Sequence, residues 1–222
     1  MILEIATVVA LARQCAPSVA VETLVSVVHT ESRFNPYAIG INAKGVAAPD
    51  PADRASAAIA AQSLIARGYN IDLGLGQINS ANLKWLGLSV EDAFDPCRNL
   101  AAAARVLSGN YLSVVRTSPS TGAAIATAMS MYNTGSRTRG FGNGYVGRVY
   151  ASSNIVVPAI RGGLSPVAAV APAHPQASVL PVAALAPTPT AHVSWETSAG
   201  AQTASLMVFD GPSSASPKGK IE

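Results

Sequence analysis

The chain has 222 residues, of which 49% are hydrophobic and 12% charged, with a formal net charge of +3. This length suffices for one substantial domain and a further segment, and so small a basic excess gives no reason to expect a nucleic-acid partner. The two cysteines lack metal-ligand spacing, which argues against a metal site. No stretch is long and apolar enough to predict a transmembrane segment.

Apolar periodicity and capping signals predict a mainly α domain with little β structure. Asp53 is placed to cap one helix and Gly68 to end it, and Asp95 precedes a helix that starts with proline. Residues 38–51 predict a short hairpin or a loop, and the glycine-rich stretch 135–147 predicts a flexible loop. The helices are expected over about 3–14, 20–32, 53–67, 79–86, 98–113 and 121–132.

The first apolar stretch, residues 2–12, does not have the pattern of a signal peptide. It contains Glu4 and has no basic residue before Arg13, whereas a signal peptide starts with positive charge and ends at a small-residue cleavage site. We therefore interpret this stretch as the first amphipathic helix of the domain. On this interpretation, export requires an atypical signal or a start upstream of Met1.

The composition changes in the last third of the chain. Nine of the 15 prolines lie between Pro158 and Pro217, among Ala, Ser, Val and Thr, and no apolar periodicity persists. Such a segment buries too little apolar surface to offset the entropy of ordering it. The sequence predicts a domain over 1–155 and a disordered Pro/Ala/Ser-rich tail over 156–222, in which 205–210 is either disordered or a docking segment.

Glu31 lies on the apolar face of a predicted helix, because it follows Leu24 by seven residues and Val28 by three. Loss of hydration at such a position favours the protonated carboxyl group. An acid that stays protonated near neutral pH is what cleavage of a glycosidic bond requires. The alternative is a helix-end glutamate that pairs with Arg33 or is solvated.

Three later segments carry further candidate chemistry. Gly74 and Gly76 allow the backbone to approach a ligand closely. Gln77 and Asn79 carry amides that both donate and accept hydrogen bonds, which suits acetamido and hydroxyl groups. With the segment around Glu31, the four occur in a fixed order, at residues 31–36, 72–79, 128–135 and 144–146.

In this order, and with Phe94-Asp95-Pro96-Cys97, the segments resemble the lytic transglycosylases that have a soluble-lytic-transglycosylase, lysozyme-like domain. The resemblance covers roughly residues 15–150 and is greatest to the small specialised members carried by type IV and type III secretion systems. It implies a lysozyme-like fold with a cleft between the Glu31 helix and residues 72–79. The implied activity is non-hydrolytic cleavage of the bond between N-acetylmuramic acid and N-acetylglucosamine, without a cofactor, to give anhydro-muropeptides.

The same resemblance implies partners and a location. The substrate would be the glycan strands of peptidoglycan in the periplasm, and other envelope components of the secretion system are expected partners. The implied role is local opening of the cell wall for assembly of a type IV secretion system. A scaffold that keeps the fold but acts through its tail, without catalysis, is the alternative of another class.

Residue roles follow from the resemblance position by position. Glu31 matches the catalytic acid, and one glutamate can serve as acid and then as base because the muramoyl C6 hydroxyl replaces an attacking water. Gly76 departs from the pattern, since most members have a bulkier residue there, often methionine. The expected substrate-binding residues are Ser32, Gln77, Asn79, Tyr132, Asn133 and Tyr145. A local backbone bond for Ser32 and an ordinary core position for Tyr132 are the alternatives.

Asp72 allows two catalytic interpretations. Secretion-associated members of the family often have aspartate near this point, and a second carboxylate facing Glu31 would stabilise positive charge on the sugar or position a water molecule. The second of these roles would make the protein a hydrolytic muramidase that uses Glu31 and Asp72. The non-catalytic alternative is a turn aspartate that bonds the backbone around Gly74.

Cys15 and Cys97 are expected to form a disulfide. Cys97 lies in the turn-like Asp95-Pro96-Cys97 and Cys15 in Cys15-Ala16-Pro17, and neither has the sequence surroundings of a core residue. Two buried free thiols are the alternative. A disulfide would indicate an oxidising compartment, consistent with the expected periplasmic location.

Overall fold

The computed structural model describes residues 1–162, and residues 163–222 lie outside the described part. The helices are α1 (Ile5–Cys15), α2 (Val21–Ser32), α3 (Arg54–Ala66), α4 (Leu83–Leu86), α5 (Pro96–Val114), α6 (Thr121–Thr134), α7 (Arg139–Gly142) and α8 (Tyr145–Gly162). The strands are β1 (Ile39–Ile41), β2 (Ile71–Leu73) and β3 (Ile78–Asn79). The mainly α architecture expected from the sequence is confirmed.

The core lies among the long helices. α8 packs along α2, and α5 packs against both α1 and α6. Three consecutive alanines of α5, at positions 102–104, are almost fully buried, and so small a side chain lets neighbouring helices approach closely. The α2 residues Leu24, Val25, Val27 and Val28 are fully buried, so the helix that ends at the candidate acid is firmly held.

The three strands form one antiparallel sheet in the order β1-β2-β3. Ile39 pairs with Leu73 and Ile41 with Ile71, and Asp72 pairs with Asn79 in the β2–β3 hairpin. Of the two alternatives for 38–51, no hairpin forms within the segment, and a loop follows β1 up to α3. The strand there finds its partner beyond α3, because the buried side chains Ile39, Ile71 and Leu73 complete one apolar layer.

The predicted helix ends are confirmed. The Asp53 carboxylate accepts a hydrogen bond from the Ser56 amide at 2.8 Å, and Gly68 has the positive φ of +82° that a terminating glycine supplies. The Asp95 carboxylate accepts from the Arg98 amide at 2.9 Å, with Pro96 at the first helical position.

The region after α6 differs from the sequence prediction. The expected flexible loop over 135–147 contains α7 and the start of α8. Gly140 lies so close to α6 that an added Cβ would be 2.5 Å from the Ser130 Cα, and its amide donates to the Ser130 hydroxyl at 2.9 Å. Glycine here serves close packing, and not mobility.

α8 was not predicted, and it runs to Gly162, past the domain boundary placed at residue 155. Its residues Val156, Val157 and Ile160 are buried, so the domain continues to this helix end. Alternating small and polar residues weakened the apolar periodicity that would have indicated a helix. From residue 163 onward, the predicted tail and its segment 205–210 lie outside the described residues.

The disulfide between Cys15 and Cys97 is present, with the two Cα atoms 5.4 Å apart. It joins the end of α1 to the first turn of α5 across 82 positions of sequence. Closing so long a loop restricts the unfolded chain and thereby stabilises the folded domain. Among the described helices, none has the length and apolar character needed to span a membrane.

Candidate active site

A cleft of about 480 Å³ lies between the end of α2, the sheet, and helices α4, α5 and α6. Its volume is in the range of small-molecule and saccharide clefts, roughly 300–1,000 Å³. The lining is mostly polar and includes both candidate carboxyl groups. The residues are Glu31, Asn42, Asp72, Gln77, Ile78, Asn79, Asn82, Trp85, Val106, Asn110, Met131, Tyr132, Asn133 and Gly135.

A sharp turn fixes Glu31 at the rim of this cleft. α2 ends at Ser32, and Arg33 and Phe34 follow with positive φ values of 51° and 67°. The Arg33 amide closes the helix by donating to the His29 carbonyl at 3.1 Å, and Phe34 is buried against the His29 ring. Non-glycine residues rarely adopt this backbone conformation, so burial of Phe34 must offset its cost.

The environment of Glu31 raises its pKa from 4.5 to about 7. The largest cause is burial, which removes water from the charged form. The Tyr145 hydroxyl opposes it by donating to Glu31 Oε1 at 2.5 Å. The negative charge of Asp72 raises the pKa further, and the Arg148 guanidinium lowers it. Glu31 is thus balanced to give up and take back a proton near neutral pH.

Two tyrosines, Tyr132 and Tyr145, lie near Glu31. Burial, followed by the nearby Glu31 charge, raises the pKa of both Tyr132 and Tyr145 well above 10. Both hydroxyls therefore remain hydrogen-bond donors at neutral pH. Tyr145 donates to Glu31, whereas Tyr132 donates to the Gly76 carbonyl at 2.6 Å.

The opposite wall of the cleft carries Asp72 among asparagine amides. Asn79 Nδ2 donates to Asp72 Oδ1 at 2.7 Å, and Asn42 Nδ2 donates to Oδ2 at 2.9 Å. Asn70 links the two donors, since its side-chain oxygen accepts from both Asn42 and Asn79. Asp72 therefore lines the cleft with both side-chain oxygens held by amides, and these bonds replace the expected alternative of a bond to the backbone around Gly74.

Hydrogen bonds from Asn99 of α5 hold the turn between β2 and β3. This buried amide donates to the Leu73 and Ala93 carbonyls and accepts from the Gly76 amide at 2.7 Å. At Gly76, an added Cβ would lie 2.8 Å from the Ala103 Cβ and 3.0 Å from the Tyr132 hydroxyl. The glycine that departs from the family pattern is therefore required by the close approach of α5 and α6 in this chain.

The residues expected to bind substrate are only partly brought together in the cleft. Gln77, Asn79, Tyr132 and Asn133 line it, and Asn133 accepts a hydrogen bond from Asn143 at 2.9 Å. The Gln77 amide donates to backbone carbonyls, including Gly74 at 2.9 Å, so it supports the turn.

Ser32 and Tyr145 do not line the cleft. The Ser32 hydroxyl donates to the Val28 carbonyl at 3.3 Å, within its own helix. Tyr145 is only 2% exposed and reaches the acid from the protein side. Ser32 makes the local backbone bond that was its alternative, and Tyr145 bonds the acid, so a contact of either side chain with substrate stays a prediction.

Several residues of the site were not found from the sequence. Isolated asparagines in loops carry no periodic signal, and Trp85 belongs to a helix of only four residues. Asn99 did leave a signal, since a polar residue on the apolar face of a helix requires buried partners. The missed residues are Asn42, Asn70, Asn82, Trp85, Asn99 and Asn110. In residues 1–162, no cluster of three His, Cys, Asp or Glu side chains is arranged to hold a metal ion.

The cleft is polar and contains two carboxyl groups, Glu31 with a raised pKa at the end of a helix and Asp72 on a small antiparallel sheet. This arrangement is typical of an enzyme that cleaves glycans. Comparison with protein families specifies the class. Residues 9–152 match the family described as "Transglycosylase SLT domain", and the chain belongs to this family. It is a lytic transglycosylase of peptidoglycan with a lysozyme-like domain.

Relatives of this chain include a protein of a type IV secretion system. The chain is 39% identical over 173 residues to the type IV secretion system protein virB1 of Brucella suis, with 72% of each chain covered. It is 40% identical over 149 residues to the protein virB1 of Rhizobium radiobacter, with 67% of this chain and 62% of that one covered. No solved structure matches the chain.

Proposed function

We propose that Glu31 carries out the lytic reaction alone as acid and base, and that the enzyme opens peptidoglycan in the periplasm where a type IV secretion system assembles. The raised pKa of Glu31, to about 7 within the cleft of a transglycosylase domain, is the observation that carries the proposal. The virB1 relatives support the link to secretion. The disulfide supports an oxidising compartment.

The reaction needs one proton and no water. Protonated Glu31 donates its proton to the glycosidic oxygen, and the bond between that oxygen and the muramoyl C1 breaks. The Glu31 carboxylate then takes the proton of the C6 hydroxyl while O6 bonds to C1, which forms the anhydro ring. The proton is back on Glu31 at the end, so a single group with a pKa near the working pH suffices.

Tyr145 and Asp72 serve the two halves of this cycle. The Tyr145 hydroxyl, 2.5 Å from Glu31 Oε1, stabilises the carboxylate that exists after the first proton transfer. Asp72, fixed by two amides, offers negative charge to the sugar when positive charge develops on it. Its charge also keeps the pKa of Glu31 high before the reaction.

A hydrolytic muramidase is the second candidate function, and the position of Asp72 on the wall opposite Glu31 favours it. In that reaction, Asp72 would position a water molecule or act as a nucleophile. The two functions differ in their products, because hydrolysis leaves a reducing end and the lytic reaction leaves an anhydro ring.

Mass spectrometry of soluble products from purified peptidoglycan tests the proposal, with wild type and Glu31→Gln compared. We expect anhydro-muropeptides from the wild type and none from the variant, whose amide cannot donate the proton. Reducing-end products would contradict the lytic reaction and assign Asp72 to hydrolysis. Equal products from both proteins would contradict the role of Glu31.

The role in secretion requires an experiment in cells. A strain that lacks this protein is complemented with wild type, with Glu31→Gln, or with a chain that ends at Gly162. We expect Glu31→Gln to fail in restoring secretion. Full secretion with Glu31→Gln, together with loss of secretion on removal of residues 163–222, would instead establish a scaffold that acts through its tail.

A further inference from the structure

Trp85 is an aromatic side chain in the cleft that the reaction above does not use. It lies in α4, where Leu83 and Leu86 face the core and Trp85 points away from it with 50% of its surface exposed. Among the exposed large apolar side chains of residues 1–162, Trp85 alone lines the cleft. Single exposed apolar side chains are common on protein surfaces, so it is the position of Trp85 on the cleft that makes it a candidate ligand contact.

Two contacts fix the orientation of the indole. Its Nε1–H donates to Asn82 Oδ1 at 3.0 Å, which sets the rotation of the ring. The Arg105 guanidinium lies over the ring, with its central carbon 5.3 Å from the ring centroid. An exposed tryptophan that is held in this way presents a rigid surface, so little entropy is lost when a ligand binds to it.

The cleft side of the ring is the side left for a ligand. Trp85 and Asn82 line the cleft, as do Val106 and Asn110 of α5, whereas the neighbouring Arg105 does not. Arg105 therefore covers the ring from outside the cleft. The remaining surface combines an aromatic face with side-chain amides, and an N-acetylated sugar matches both, since its C–H face is apolar and its edges carry acetamido and hydroxyl groups.

We propose that Trp85 is the stacking platform of a saccharide subsite that binds an N-acetylhexosamine ring of the glycan strand, with Asn82 and Arg105 as positioning residues. The proposal rests on peptidoglycan being the substrate, and it adds a binding contact to the chemistry at Glu31. Trp85 holds the strand in register, so that the bond to be cleaved lies at the acid.

Binding is measured in a full-length chain that carries Glu31→Gln and Trp195→Phe. Glu31→Gln removes turnover, and Trp195→Phe leaves Trp85 as the single tryptophan, since the chain has two. Titration with a β-1,4-linked N-acetylglucosamine hexamer, and separately with soluble uncross-linked glycan strands, is expected to change the Trp85 emission saturably. Calorimetry establishes the saccharide concentration at which the protein is saturated. If the Trp85 emission does not change at that concentration with either saccharide, the proposal is overturned.

Calorimetry on substituted chains then measures the contribution of the ring. Trp85→Ala is expected to weaken binding about ten-fold, and Trp85→Phe less, because phenylalanine keeps an aromatic face. In the active enzyme, Trp85→Ala raises KM for glycan strands without moving the pH dependence set by Glu31. Leu112→Ala, at a residue that is 55% exposed and outside the cleft, is the matched control and leaves binding unchanged.

The outcomes separate this proposal from the proposed function. Wild-type affinity and KM in a folded Trp85→Ala chain, with anhydro-muropeptides still formed, would overturn the subsite and leave the lytic reaction in place. A saturable Trp85 response to glycan strands in the Glu31→Gln chain, with no anhydro-muropeptides formed by the wild-type enzyme, would support the subsite and contradict the reaction.

Discussion

The two walls of the cleft surround their carboxyl groups with different environments. On the helical wall, Glu31 is surrounded by protein and has one hydrogen-bond donor, Tyr145, and burial raises its pKa to about 7. On the sheet wall, Asp72 lies among amide groups, and each of its oxygens accepts a hydrogen bond from an asparagine. The first wall favours a protonated acid, and the second supplies an amide donor to each oxygen of its carboxyl group.

This difference supports the separate roles that we propose for Glu31 and Asp72. Two carboxyl groups in one cleft can take separate roles when their surroundings differ. Glu31, whose pKa is raised to about 7, can donate a proton near neutral pH, whereas Asp72 is held on both oxygens by asparagine amides. The predictions below test whether the walls differ in this way.

The largest effect is expected when the acid of the helical wall is replaced. Glu31→Gln keeps the shape of the side chain and removes the transferable proton, so the rate of product formation should fall by at least about 10³-fold. Release of anhydro-muropeptides from purified sacculi measures this rate. Glu22→Gln, on the same helix and outside the cleft, is the control, and a loss of similar size in both variants would contradict a specific role for Glu31.

The stability of the same variant reports the burial of the acid. Since the pKa of Glu31 is 4.5 ordinarily and about 7 in the folded protein, the folded state keeps its proton where the unfolded state has lost it. Wild-type stability should therefore decrease as pH rises from about 4.5 to 7, by at most about 3 kcal/mol.

Glu31→Gln lacks this decrease. Its free energy of unfolding should match that of the wild type near pH 4 and exceed it above pH 7. Urea unfolding at a series of pH values measures both proteins, and Glu22→Gln should follow the wild type. If Glu31→Gln is less stable than the wild type at pH 8, ionisation of Glu31 does not destabilise the folded protein, and the prediction is contradicted.

Asp72→Asn removes the charge of the sheet wall. If Asp72 stabilises positive charge on the sugar, kcat should fall about 10–100-fold. Loss of the negative charge also lowers the pKa of Glu31, so the decline of activity at high pH should begin at a lower pH. Rate measurements from pH 5 to 9 test both effects, with Asp50→Asn in an exposed loop as the control. An unchanged kcat and an unchanged pH profile would show that the sheet wall takes no part.

Tyr145→Phe should have the smallest effect on activity, and it should shift the pH profile in the direction opposite to that of Asp72→Asn. It removes the hydroxyl that lowers the pKa of Glu31, so the decline of activity should move to higher pH and kcat should fall several-fold. The same pH series measures it. Tyr150→Phe on the same helix should leave the profile in place, and a shift to lower pH in Tyr145→Phe would contradict the assigned contact.

Much of the fold was predictable because local rules decide it. Asp53, Gly68 and Asp95 mark helix ends by capping, and the spacing from Leu24 to Glu31 correctly puts the carboxyl group on the inner face of α2. The order of the short segments identified the family, which the match over residues 9–152 confirms.

The remaining features depend on contacts between distant parts of the chain. β1 pairs with a strand beyond α3, and Gly140 meets α6, so neither pairing has a local signal. Asn99 holds a turn more than twenty positions earlier. For the same reason, both Tyr132 and Tyr145 were expected to bind substrate, whereas the Tyr132 hydroxyl bonds the β2–β3 turn and the Tyr145 hydroxyl bonds the acid.

The difference between the walls is tested most directly by titrating the Glu31 carboxyl group itself. Carbon-13 NMR of the full chain, labelled at the glutamate side-chain carboxyl carbons, follows each glutamate with pH, and the resonance missing from Glu31→Gln identifies the acid. We predict a midpoint near pH 7 for Glu31 in the wild type, moving down in Asp72→Asn and up in Tyr145→Phe. A midpoint near 4.5, unmoved by either substitution, would contradict the account.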